Sequence, residues 1–252
     1  MNKIAFITGA TAGIGNAIAK KLAENNFDII ITGRRGNILD ALEKEIKQNY
    51  NVRALSLILD VRNREACKIA INKLPKEWKN IDILINNAGL AAGLGTIQEG
   101  EFDNWDKMID TNIKGLLNIS RLISPFMIEK KQGHIINIGS IAGKEVYPGG
   151  NVYCGTKHAV DAITKGMRID MVPHNIKVTS INPGMVDTEF SIVRFDGDKE
   201  KAKQVYEGFT PLYADDIAEA ILFAVTRPPH VNINDMIIMP TAQANAMVVE
   251  RK

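Results

Sequence analysis

An α/β architecture, one doubly wound parallel sheet with helices on both faces, is predicted by three features of this 252-residue sequence. Apolar strand-like runs alternate with helix-patterned segments along most of the chain. The first junction between them is a glycine-rich turn, Thr8-Gly9-Ala10-Thr11-Ala12-Gly13-Ile14-Gly15. No internal repeat or low-complexity linker interrupts the pattern, so residues 1–252 read as a single domain. Alternation of this kind makes the strands parallel, because consecutive strands are joined by helices that cross over the sheet.

Each element has its own justification. Ile4–Ile7 is an unbroken apolar run, as a strand buried on both faces requires. Asn16–Glu24 follows as a helix, and Asp28–Thr32 as a second strand. Asn37–Asn49 carries Ile38, Leu39, Leu42 and Ile46 at helical spacing. Val52–Leu59 is a third strand, and Arg64–Leu74 a helix stopped near Pro75. Ile81–Ile85 is a fourth strand. Phe102–Glu129 reads as long and mostly helical, with Trp105, Ile109, Ile113, Leu116 and Leu117 as apolar points. Gly133–Ile138, the helix Tyr153–Met171 and the strand Ile176–Ile181 come next. The helix Asp215–Thr226 is announced by Thr210-Pro211 and its acidic first pair, and Met236–Met239 closes the sheet. Asn182–Glu200 lacks a pattern and follows the sixth strand, at the ligand side of such a sheet; it is read as a mobile lid, spanning about 183–208. The tail Ala242–Lys252 is polar and aperiodic, and is expected either to reach a neighbouring subunit or to remain unordered. The whole is a Rossmann-type arrangement.

Composition narrows the function by exclusion. With 31 basic against 29 acidic residues and no polybasic run, no nucleic-acid partner is expected. No apolar stretch approaches the roughly 20 residues of a membrane span, and the chain starts directly into a strand without a signal-peptide layout. Cys67 and Cys154 are too few for a disulfide framework or a zinc site. His134, His158, His174 and His230 have no metal spacing, so no metal is expected. A reducing, cytoplasmic setting is the simplest consequence.

A glycine-rich turn between a strand and a helix is a phosphate cradle: free N–H groups and the positive helix end face the phosphates. Gly9, Gly13 and Gly15, with Thr11, Ala12 and Ile14 between them, therefore predict dinucleotide binding. The spacing G-x-x-x-G-x-G departs from the more familiar G-x-G-x-x-G. At the end of the second strand, where an acidic residue would bind the ribose hydroxyls of NAD, the chain has Gly33-Arg34-Arg35; Asp28 lies at the wrong end of that strand. Two guanidinium groups suit an adenosine phosphate, so NADP is favoured. Asp60-Val61 and Asn86-Asn87-Ala88-Gly89 end the third and fourth strands, where ligands bind. Asp60 is placed to accept from an adenine amino group and Asn87, Ala88 and Gly89 to lie along the cofactor ribose, though a helix cap or a turn would explain either segment equally well.

Tyr153 and Lys157, at i and i+4, share one helix face. Ser140 closes a strand thirteen residues upstream, and the Gly/Pro-rich loop between can fold back. A hydroxyl must lose its proton as hydride leaves its carbon. Free tyrosine titrates near 10; a neighbouring ammonium lowers that value and makes Tyr153 a usable acid/base. Lys157 would supply the charge and hold the nicotinamide ribose, and Ser140 would orient the substrate oxygen.

In order and spacing, Thr8-Gly9-x-x-x-Gly13-Ile14-Gly15, Asp60, Asn86-Asn87-Ala88-Gly89, Asn112, Ser140, Tyr153, Lys157 and Pro183-Gly184 resemble the short-chain dehydrogenase/reductase family. The resemblance implies a catalytic tetrad of Asn112, Ser140, Tyr153 and Lys157. It implies that Asn112 interrupts a helix and holds a water touching the lysine, and that Pro183, Gly184, Val186 and Thr188 line the nicotinamide. It also implies a homotetramer paired through the long helices. Within the family the chain is similar to NADP-dependent dehydrogenases of small 3-hydroxy acids, of the serine/allo-threonine dehydrogenase type, through Asp82–Leu90, Tyr147–Tyr153, Thr188–Phe195 and Met239–Gln243. Serine, allo-threonine, 3-hydroxypropionate, 3-hydroxyisobutyrate or the matching semialdehydes are the implied substrates. A carbonyl or 3-oxoacyl thioester reductase would carry the same tetrad, and a non-catalytic NADP-sensing protein is the rival from another class. A substrate carboxylate needs a cation near the nicotinamide. Arg194, alone in an acidic and apolar loop, is assigned to it; an ion pair with Asp196 or Asp198 would explain the residue equally well, and Lys144 and Asn151 are weaker choices.

Overall fold

The computed structural model describes residues 2–252. Its centre is a seven-stranded sheet in the order β3-β2-β1-β4-β5-β6-β9, in which every pairing is parallel. The strands are β1 (Ile4–Ile7), β2 (Asp28–Gly33), β3 (Ala54–Ile58), β4 (Ile81–Asn86), β5 (Gly133–Ile138), β6 (Ile176–Pro183) and β9 (Asp235–Ile238). The unbroken apolar runs are explained by burial on both faces. Ala5, Ile7, Ile29, Ile31, Ile83 and Ile85 pack against one helix layer, and their neighbours Ile4, Phe6, Ile30 and Leu84 against the other. The first layer holds α1 (Gly13–Glu24), α2 (Gly36–Asn49) and α9 (Ala214–Val225) through Ile18, Leu22, Leu39, Leu42, Ile46, Ile217 and Ile221. The second holds α3 (Arg64–Asn72) and α5 (Leu116–Glu129) through Cys67, Ile71, Ile119, Ile123 and Met127, with Met167 and Met171 of α6 (Asn151–Met171) packed against it.

Phe102–Glu129 is helical but interrupted, as the resemblance implies: α4 (Phe102–Ile109) passes through a π-helical turn, Asp110–Gly115, which holds Asn112, into α5, and such wide turns are over-represented at functional sites. Two expectations are corrected. The segment after β6, read as patternless, has structure of its own. It contains β7 (Val186–Asp187), α7 (Glu189–Arg194), α8 (Lys199–Gln204) and β8 (Leu212–Tyr213), with β7 paired to β8. Side chains cap both short helices: Thr188 accepts from Phe190 N and Asp198 from Lys201 N. Finally, the tail is ordered on its own chain. Buried Gln243 accepts from Met185 N at 2.8 Å, Lys252 N donates to Gly208 O at 2.8 Å, and the Arg251 guanidinium lies over the Phe209 ring.

His134 on β5 is buried. Its Nε2 meets Thr179 Oγ1 at 2.7 Å while Nδ1 has no partner. Burial, aided by the charges of Lys177 and Lys3, pushes its pKa down to about 3. Unfolded histidine titrates near 6.5. Between those two values the unfolded chain binds the extra proton, so stability falls as the pH drops through that window, by about 5 kcal/mol in all. The double variant His134→Leu/Thr179→Val is expected to flatten this acid limb in unfolding titrations followed by circular dichroism; an unchanged slope below pH ~6 would show that His134 does not set it.

Candidate active site

The C-terminal ends of the strands open into one crevice, centred where the strand order reverses between β1 and β4. The turn after β1 forms its floor. Thr8 is the hub: its Oγ1 accepts from Asn87 N at 3.0 Å and Ala88 N at 2.9 Å. Asn87 Nδ2 donates back to Thr8 O and Gly9 O at 2.9 and 3.1 Å. The Asn87 side chain thus clamps the glycine turn, and Asn86 ties β4 to Ser120 and Asn137 at 2.8 Å each. Gly9 adopts φ +67°, which disfavours any side chain. A Cβ on Gly15 would come within 2.4 Å of Gly9 O and 2.5 Å of Asn87 Nδ2. Gly15 is needed for this packing and, unlike Gly9 and Gly13, does not line the crevice.

Thr11, Ala12, Ile14, Arg34, Arg35, Asp60, Val61, Ala88, Gly89, Pro183, Gly184, Val186 and Thr188 all line it. The donor set fits a phosphorylated dinucleotide. α1 and α2 begin without any side-chain cap, as α4 and α6 also do. Where α1 and α2 start at the crevice their first-turn N–H groups are free to meet a ligand, and Arg34 and Arg35 stand immediately before α2. Asp60 is forked onto Arg62, at 2.6 Å for the closest pair, and this holds its carboxyl below the usual carboxylate range.

At the other end the structure brings the four predicted catalytic groups together. Ser140 ends β5, and its Oγ accepts from Ala142 N at 3.1 Å, capping a tight turn over Ile141–Gly143. Gly143 packs so closely on Lys157 that a Cβ there would sit 2.6 Å from the Lys157 carbonyl oxygen. Tyr153 lies in the first turn of α6, with Lys157 one turn on and its Nζ 5.9 Å from the phenol ring. Lys157 Nζ donates to Ile138 O at 2.9 Å. Asn112, inside the π-helical turn, accepts from Leu90 N at 2.9 Å and donates to Leu90 O and to Thr156 Oγ1 at 2.8 and 3.0 Å. It lies behind the crevice wall rather than on it.

The electrostatics correct the expectation for the phenol. Burial pushes the Tyr153 pKa up, with Tyr147 adding to it, and Arg194 and Ser140 only partly pull it back. Two cations face the Tyr153 ring, the Arg194 guanidinium at 5.1 Å and Lys157 Nζ at 5.9 Å from its centre, and burial outweighs the pull of Arg194. Burial also pushes the Lys157 amine down to about 8.

Arg194 ends α7 and projects into an aromatic box. Its guanidinium is 5.1, 5.4 and 5.8 Å from the rings of Tyr153, Phe190 and Tyr147. Nη2 donates to the Tyr147 hydroxyl at 2.6 Å, while Nε is buried without a partner. Neither Asp196 nor Asp198 pairs with it: Asp198 pairs with Lys201, and among the described residues no carboxylate lies within ion-pair distance of Arg194. Lys144 is committed to Asp161 and Asp235, and Asn151 to the Gly95 carbonyl. Tyr147 and Phe190 carry no role in the sequence reading. Phe190, four residues before Arg194, offered a local signal; Tyr147 lies far upstream and offered none.

A dinucleotide cradle opening onto a buried tyrosine–lysine pair defines an oxidoreductase acting on a hydroxyl or carbonyl group. The short chain dehydrogenase model matches residues 3–199. The chain is 47% identical over 244 residues to the NADP-dependent 3-hydroxy acid dehydrogenase YdfG of Salmonella typhi, covering 96% of this chain and 97% of that one. It is 42% identical over 251 residues to the NADP-dependent 3-hydroxy acid dehydrogenase of Schizosaccharomyces pombe, covering 99% and 97%. Among solved structures it superposes with TM-score 0.93 and 43% identity on the closed form of a serine dehydrogenase complexed with NADP+, over 99% of this chain and 100% of that one. The chain belongs to the short-chain dehydrogenase family.

Proposed function

We propose that this chain uses NADP+ to oxidise the C3 hydroxyl of small 3-hydroxy acids, and NADPH to reduce the matching semialdehydes. The observation that carries this reading is Arg194: a half-buried guanidinium, its Nε buried without a partner and with no carboxylate of its own, stands against the ring of Tyr153. A carboxylate two carbons from the reacting hydroxyl is the group that such a cation selects.

The uncapped starts of α1 and α2 and the turn from Gly9 to Gly13 bind the phosphates of NADP, with Arg34 and Arg35 on the adenosine side. Asp60 and Val61 flank the adenine, and Asn87, Ala88, Gly89, Pro183, Gly184, Val186 and Thr188 line the nicotinamide half. When bound, NADP+ supplies the acceptor for the hydride leaving C3. Ser140 Oγ orients the substrate oxygen, and the Tyr153 phenol, protonated at rest, takes the substrate proton as it gives up its own toward Lys157. Lys157 Nζ, held near 8 by burial, passes that proton on toward Asn112 and solvent. With serine the product is an aminomalonate semialdehyde, which loses carbon dioxide unaided.

The segment 183–208 acts as the lid over the substrate, bringing Arg194 in from α7. The reading includes a cytoplasmic homotetramer of one-domain subunits. Its support is apolar exposure on the long helices, at Phe102, Leu117 and Ile169; among the described residues no helix is long and apolar enough to cross a membrane.

The test is a panel of serine, allo-threonine, 3-hydroxypropionate, 3-hydroxyisobutyrate and simple ketones, followed by the absorbance of reduced nicotinamide. Turnover of the short acids with NADP supports the assignment. Turnover confined to ketones or to long acyl thioesters would overturn it.

A further inference from the structure

Arg34 and Arg35 are adjacent in sequence, but the fold gives them different surroundings. Arg35 Nε and Nη2 donate to Thr11 Oγ1 at 3.2 and 3.0 Å, Nη2 also to Thr11 O at 3.1 Å, and Nη1 to Glu189 Oε2 at 3.1 Å. Four of the five guanidinium donors are thus already taken by protein. Arg34 is exposed, lines the crevice, and makes no hydrogen bond or ion pair among the described residues. Glu189 is the first residue of α7, so the Arg35–Glu189 pair joins the second-strand wall of the crevice to the segment that carries Arg194. Beside it Thr188 packs on the glycine turn, where a Cβ on Gly13 would lie 3.1 Å from Thr188 Cβ.

We propose that Thr11, Arg35 and Glu189 form a clasp that holds α7 down across the cofactor crevice and sets the rate of cofactor release, leaving Arg34 as the residue that distinguishes NADP from NAD. This inference rests on the NADP reading of the crevice. A phosphate brought to Arg35 would meet the Glu189 carboxylate, whereas Arg34 offers a fork with no anion bonded to it. The two arginines therefore divide the work: one reads the coenzyme and the other ties the lid to the wall.

The pair is half exposed on both sides, so its effect is modest and sensitive to salt. Release of NADPH from the binary complex is followed by stopped-flow fluorescence, without substrate. Glu189→Gln and Arg35→Met are each expected to speed release about threefold at low ionic strength, and the double variant no further, because both remove the same contact. Raising the salt should speed release from the parent protein more than from Glu189→Gln, in which only the coenzyme's own charge contacts remain to be screened. Arg34→Met should cut the preference for NADPH over NADH in equilibrium binding by about 30-fold, while Arg35→Met leaves that preference within about threefold. Unchanged release in Glu189→Gln, or a loss of preference in Arg35→Met as large as in Arg34→Met, overturns the clasp. Failure of the parent protein to bind NADPH at all would instead remove the reading beneath it.

Discussion

Tyr153→Phe is expected to lower kcat by about 10³-fold or more while leaving NADPH binding unchanged. The substitution removes one oxygen. The ring keeps its edge contact with Phe190, 5.7 Å between centres, and its place under the Arg194 guanidinium. What is lost is the hydroxyl that exchanges a proton with the substrate oxygen beside Lys157; Ser140 Oγ remains to hold that oxygen. Fluorescence titration with NADPH and steady-state kinetics on the same sample check both halves, and near-normal turnover would remove Tyr153 from the chemistry. The parent protein should also show a pH signature. Burial holds the Lys157 amine near 8. As the pH rises past that value the amine becomes able to accept the proton leaving Tyr153, so kcat/KM for oxidation should rise there. For reduction, which needs the proton delivered, it should fall.

Arg194→Met is the second large effect. Methionine keeps most of the apolar volume inside the Tyr147, Phe190 and Tyr153 box but provides no charge. A charge-assisted hydrogen bond in a desolvated place is worth about 2–3 kcal/mol, so kcat/KM for serine or 3-hydroxypropionate should fall by about 10²-fold. Most of that loss should appear in KM, because the carboxylate is held equally before and during the reaction. A neutral ketone should be reduced about as well as before. If acids and ketones lost activity together, the defect would lie in the fold of α7 and not in recognition of a carboxylate.

The parts of this molecule that were legible in the sequence are those carried by local spacing. The buried strands appear as apolar runs because both faces are covered, and the glycine turn is legible because strand, turn and helix are contiguous. Tyr153 and Lys157 share a face because they are one helical turn apart. What escaped was non-local or a matter of degree. The interruption at Asn112 was legible through the family resemblance alone and not from local spacing, because it is fixed by bonds to Leu90 and Thr156, each brought in by another element. The capped helices α7 and α8 are six residues each, too short for a hydrophobic period to emerge. The tail is pinned by Gln243 on Met185 N and by the Lys252 N–H on the Gly208 carbonyl, partners that no pattern in its own composition announces. The direction of the Tyr153 shift was misjudged for a related reason. The spacing displays the lysine but not the desolvation of the phenol, and desolvation is the larger influence. Arg194 was singled out for its loneliness among acids, yet its value to the site comes from Tyr147, forty-seven residues upstream.

A crystal structure of the inactive Tyr153→Phe variant with NADP+ and serine would test the central claim most directly. The account predicts the serine carboxylate within about 3 Å of the Arg194 guanidinium, with the C3 hydroxyl on Ser140 Oγ and facing the position from which the phenol oxygen was removed. A carboxylate bound elsewhere, with Arg194 still engaged only by Tyr147, would contradict it.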